Sequence, residues 1–193
     1  MKYQSQKVAY AYFICALGLF GIQVLGGLLA GWIYVAPNFL SEILPFNIVR
    51  MIHTNALVVW LLLGFFGGAY FLVPEESERE IYSVKLAYIQ LAILVIGTLG
   101  AVGSYLVGIH GGREFLEQPL WVKLGILVAA LIFLFNITMT ALAGRKTAIT
   151  NVLLTGLWLL SLLWVFAIWN PENLGLDKMY WWFVIHLWVE ATW

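Results

Sequence analysis

The feature that most constrains this chain is a series of apolar runs, each about 20 residues or longer, separated by short polar connections. A helix rises about 1.5 Å per residue, so about 20 apolar residues cross the roughly 30 Å hydrocarbon core of a bilayer. Five such runs can be drawn, Ala9–Tyr34, Ile48–Val73, Leu86–Val107, Leu120–Ala143 and Ala148–Trp169, and a sixth begins near Met179. Backbone amides in lipid must be satisfied within their own segment, which makes each run a helix. The predicted fold is therefore an all-α integral membrane bundle of five complete spans plus a truncated sixth, one transmembrane domain over residues 1–193. Composition agrees: 63% hydrophobic, 10% charged and a mean hydropathy of +0.92 exceed what a soluble domain accommodates. From Met179 to Trp193 the last helix covers only about 20 Å. The chain is expected to end inside the membrane, as a piece of a longer polypeptide or beside another chain that completes the bundle.

Several classes of function drop out. Zero formal charge gives no hint of nucleic acid, and there is no nucleotide loop, nucleophile triad or CxxC pair. The single Cys15 lies in the first span, so disulfides are excluded. The first apolar run is too long for a signal-peptide core and reads as a retained helix. Small-residue spacings such as Gly27-x-x-x-Gly31 and Gly64-x-x-x-Gly68 are packing devices. The acidic run over 75–80 reads as a solvated loop with no chemistry assigned. Counting Lys and Arg near span ends, six (Lys2, Lys7, Arg79, Lys85, Arg145, Lys146) face four (Arg50, Arg113, Lys123, Lys178). That bias predicts a cytoplasmic N-terminus and places 38–47, 108–118 and 171–178 outside.

Nineteen of the twenty charged residues fall at span edges or in connections, and the exception is Glu190. His186 and Glu190 are four apart and share a helix face. They either hydrogen-bond as packing glue or converge on a metal ion. A hard carboxylate beside imidazole leans towards iron over copper. His53, about five residues into its span, either bonds across helices or ligates haem iron; it and His186 are expected level in the outer half. His110 lies in a glycine-rich connection and reads as a solvated histidine. Glu114 and Glu117, three apart at the membrane edge, could share a helical face. They bind a hard cation, pass protons, or form an ordinary charged rim.

With these residues in place, the chain resembles the first half of the catalytic, cytochrome-b-type subunit of bacterial nitric oxide reductase, a branch of the haem-copper oxidase superfamily. The resemblance rests on the stretches 50–55, 70–77, 112–119, 144–149, 170–174 and 181–190, which include Arg50, His53, Arg113, Glu114, Glu117, Pro119, His186 and Glu190. It implies a twelve-helix subunit of which this is the N-terminal half. It also implies that His53 ligates a low-spin haem b, while His186 and Glu190 ligate a non-haem iron facing a high-spin haem b. By the same resemblance Glu114 is linked to calcium near the haem propionates, Glu117 admits protons from the outer side, and Arg50 and Arg113 are propionate partners. The implied reaction joins two nitric oxide molecules with two electrons and two protons into nitrous oxide and water in denitrifying respiration.

The connection around 107–112 is shorter than in many relatives, and the implied remaining ligands lie outside this chain. Alone it is expected to be inactive. Two other readings stay open, an oxygen-reducing terminal oxidase and a non-catalytic membrane scaffold. Expected partners are membrane lipid, the missing half, and a cytochrome-c-type donor subunit, favoured over quinol because the N-terminus is short. The expected location is the inner, cytoplasmic membrane.

Overall fold

A computed structural model of the protein describes residues 2–40 and 42–190, so residues 191–193 of the expected last span, and residue 41, lie outside the described part. The described residues form six α-helices and no strand: α1 Ser5–Val35, α2 Phe46–Glu76, α3 Val84–Leu106, α4 Leu120–Ala143, α5 Ala148–Phe166 and α6 Leu174–Val189. The first five are long and apolar enough to cross a membrane, and the chain is a multi-pass membrane protein. Local chemistry sets several starts. Side-chain oxygens of Ser83, Thr147 and Asn173 accept from the backbone N–H three residues on, capping α3, α5 and α6.

Two departures from the expected boundaries have a clear local cause. α6 starts at Leu174 instead of near Met179, because Asn173 caps it and Arg113 neutralises Asp177 in its first turn. α2 continues through Pro74 to Glu76, since a proline in the last turn removes a single ladder bond.

α1 lies along α2, α3 packs on α4, and α5 joins α4 to α6. Tyr12, Leu63, Phe66, Tyr70, Phe133 and Ile137 form the centre, with the Phe66 and Phe133 ring centroids 4.4 Å apart. Two buried hydroxyls there are paired, as hydrocarbon demands: Tyr12 donates to the Ala87 carbonyl at 2.9 Å and Tyr70 to Gln90 Oε1 at 2.6 Å. Asn136 exchanges two 2.8 Å hydrogen bonds with the backbone of Ser83, fixing the α2–α3 connection against α4.

The connections gather at two ends. At one, the acidic run is engaged along its length. Glu80 accepts from the backbone N–H groups of Gln4 and Ser5 at the start of α1, Glu75 takes Gln6 and Lys2, and Glu78 pairs with Arg145 at 2.7 Å. At the other end, Arg50 reaches Glu117 and Arg113 reaches Asp177.

Candidate metal, haem and proton sites

His186 and Glu190 sit on one face of the last turns of α6, with His186 Nε2 3.9 Å from Glu190 Oε1. His186 Nδ1 lies 2.5 Å from the Trp182 carbonyl, which can only accept, so Nδ1 carries the proton and Nε2 presents a lone pair towards the carboxylate. Two acceptors therefore converge across a gap too long for a hydrogen bond. Metal–N and metal–O bonds of about 2.0–2.2 Å put neighbouring ligands of one ion about 3.0–3.5 Å apart, so the pair comes within a small side-chain adjustment of sharing a cation. The side chains are 55% and 72% exposed and border a 310 Å³ groove between α2 and α6, with Leu57, Leu61 and Trp182 on its walls. Among the described residues no third histidine, cysteine or carboxylate joins them. Two donors alone do not hold an iron or similar ion, so a metal here needs further ligands.

His53 is half-buried on α2 against α1. Its Nδ1 lies 2.7 Å from the Gln23 carbonyl, which again fixes the proton on Nδ1 and leaves Nε2 for a metal, the orientation that outer hydrogen bonds impose on ligating histidines. The ring needs Gly27: a Cβ there would stand 2.8 Å from His53 Cε1. An oriented imidazole seated in a glycine notch fits a haem axial ligand. Counted from their helix starts, His53 comes seven residues in and His186 twelve, about 10 and 18 Å along their axes. The two are not level by this measure, because α6 begins earlier than its apolar run suggests.

Arg50, on the first turns of α2, organises this end of the bundle by bridging two acids from the α3–α4 connection. Its Nη1 is 3.7 Å from Glu114 Oε1 and its Nη2 3.4 Å from Glu117 Oε1. Glu114 and Glu117 do not share a helical face. The segment is a turn with Phe115 at φ 65°, which sends Glu117 inwards, 1% exposed, and leaves Glu114 at the rim. Asn55 Nδ2 donates to Glu117 Oε2 at 3.0 Å, and Gln118 Nε2 donates to Asn55 Oδ1. Burial pushes the Glu117 carboxyl above the usual carboxylate range, against the pull of Asn55 and Arg50. A carboxyl whose neutral form is favoured by burial is a candidate for holding and passing on a proton. Arg50 stands where a hard cation between the two acids would sit, so a cation on Glu114 approaches from its exposed side.

Arg113 is buried and committed: Nε and Nη2 meet both oxygens of Asp177, and Nη1 donates to the Trp169 carbonyl at 2.8 Å. Burial lowers its guanidinium pKa below the ordinary value. His110 is exposed, as a loop histidine should be, with Nδ1 3.2 Å from the Gly111 carbonyl. Sequence reasoning missed Asn55, Gln118, Gln23 and Asp177. An amide inside or bordering an apolar span was the available signal for the first two; the others are visible only in three dimensions.

This arrangement, a membrane helix bundle with an oriented histidine on its second helix and a histidine–carboxylate pair on its sixth, meets a matching family. The family model for cytochrome c and quinol oxidase polypeptide I matches residues 7–193, and the chain belongs to that family. It is also 50% identical to a nitric oxide reductase subunit from Stutzerimonas stutzeri, over all of this chain and 44% of that protein. The chain thus spans less than half the length of that relative. The alignment runs over 207 positions against 193 residues, so the relative carries extra residues within the shared span.

Proposed function

We propose that this chain forms part of a nitric oxide reductase catalytic subunit, carrying one ligand of a low-spin haem b and two ligands of a non-haem iron beside a high-spin haem b. The α6 pair carries the reading: imidazole and carboxylate converge at 3.9 Å, and the carboxylate favours iron over copper. The similarity to a nitric oxide reductase subunit supports it. When bound, the haems and iron supply the electrons and hold two nitric oxide molecules close enough to couple into nitrous oxide and water.

The residues of this chain have separate tasks in that reading. His53 holds the low-spin haem from a ring fixed by Gln23, and His186 and Glu190 hold iron. Glu117 takes up protons arriving from the outer side and, with its raised proton affinity, delivers them inwards. Glu114 contributes an exposed oxygen to a calcium ion near the haem carboxylates. Arg50 and Arg113 supply positive charge facing those carboxylates, Arg113 from a position set by Asp177. Electrons enter from a cytochrome-c-type partner at the outer end, and the remaining ligands come from the part of the subunit that the relative has beyond this span. The lysine and arginine bias supports a cytoplasmic N-terminus, and the reductase reading implies the inner membrane.

Oxygen reduction is the competing reading, favoured by the oxidases in the family description. The complete polypeptide, purified with its haems and a chemical reductant, decides between them. Nitrous oxide formation from nitric oxide is expected; oxygen consumption without nitrous oxide would overturn the proposal.

A further inference from the structure

We propose that α1 to α4 enclose a binding site for a small neutral molecule with an apolar body and a single hydroxyl, entered from the lipid. A cavity of about 150 Å³ lies between these helices, walled by aliphatic side chains such as Leu19, Ile52, Val59 and Leu94. None of His53, Glu114, His186 or Glu190 lines it, and the proposal does not rest on the reductase reading. An apolar cavity of this volume stays dry and accepts a benzene-sized guest. Leu99, on its wall, is 67% exposed and marks the entry.

The outer end differs from the rest. Tyr105 and Gln118 line it there, and the Tyr105 hydroxyl and Gln118 Oε1 are both buried without a hydrogen-bond partner among the described residues. The orientation of Gln118 follows from its neighbours. Glu117 can only accept from Asn55 Nδ2, so Asn55 Oδ1 faces Gln118 and takes its Nε2 hydrogen, while the Phe115 carbonyl takes another at 3.2 Å. Both amide hydrogens are used, and Oε1 is left as an acceptor. After a small side-chain rotation that opens the two atoms to the cavity, a guest hydroxyl donates to Gln118 Oε1 and accepts from the Tyr105 hydroxyl, pairing two groups whose burial alone costs free energy. Water pairs them equally well but leaves the apolar volume empty; a ring-sized alcohol fills both parts.

Isothermal titration calorimetry on the complete polypeptide in detergent, with cyclohexanol and cyclohexane, tests this. Gly97 lines the cavity and a Cβ there meets nothing within 4 Å, so Gly97→Leu starts a side chain from open space to occupy the cavity. Cyclohexanol is expected to bind saturably, and Gly97→Leu to abolish it. Tyr105→Phe is expected to weaken cyclohexanol about tenfold and leave cyclohexane within about twofold, since one hydrogen bond is lost from one ligand only. If Gly97→Leu does not fold, Ala101→Val fills the same space and is read in the same way. Saturable binding that survives filling, an equal loss for both ligands in Tyr105→Phe, or no saturable heat because water alone occupies the end, would each overturn the proposal.

Discussion

The two polar regions of this molecule solve the same problem in opposite ways. Around Arg50, a buried carboxylate is surrounded by partners from its own chain: a guanidinium, the Asn55 amide and, behind that, Gln118. On α6, a carboxylate and an imidazole point their acceptors at one another on an exposed face, beside a groove that the described residues leave open. Satisfied polar groups stabilise and orient the bundle. Converging acceptors without a donor between them favour a cation. On the proposed function, the difference separates what this chain completes for itself from what it would offer to a metal.

The largest expected effect tests a third polar residue, His53, whose ring shows which type it belongs to. In the complete polypeptide, His53→Ala is expected to abolish the low-spin haem optical signal while folded protein remains in the membrane; an unchanged spectrum would make His53 a packing residue bonded to Gln23. Gly27→Ala, which crowds the ring, should shift that spectrum with less loss.

Next comes the self-contained cluster. Asn55→Leu strips the Glu117 carboxylate of a buried hydrogen bond and should cost about 1–3 kcal/mol, read as a lower thermal midpoint. A change within a few tenths of a kcal/mol would show that water replaces the amide and that the cluster is open. The smallest effect is a pH dependence. The Glu117 pKa is raised in the fold above its ordinary 4.5, so the stability linked to its proton is full below that value and is lost as pH rises through the folded value. Glu117→Gln stays neutral throughout. Its stability relative to the parent should therefore rise with pH above about 4.5 and then level off; a flat difference would place the carboxylate in water.

Much of the bundle is legible in the sequence because length and hydropathy leave a membrane chain few choices. The α4 boundaries agree with the apolar run to the residue. The apolar pattern places the start of α6 late because Leu174 to Lys178 contains two charges, and only the pairing of Asp177 with Arg113 makes them compatible with a helix there. Within α6, the i, i+4 spacing is enough to predict the shared face of His186 and Glu190. The spacing of Glu114 and Glu117 misleads, because a left-handed Phe115 breaks the helical register between them. The acidic run reads as solvent-facing filler, yet Glu75, Glu78 and Glu80 tie it to α1 and to the α4–α5 connection. Those partners lie about 70 positions away in sequence, where local pattern carries no signal.

The central claim is that His186 and Glu190 hold one metal ion together. It is tested most directly by the ratio of non-haem iron to haem in the purified complete polypeptide, compared between the parent, His186→Ala and Glu190→Gln. Both variants are expected to lose the non-haem iron while keeping both haems, and the double variant to lose no more than either alone, because the two residues act through one ion. An unchanged ratio in both single variants would contradict the account and leave the α6 pair as packing residues.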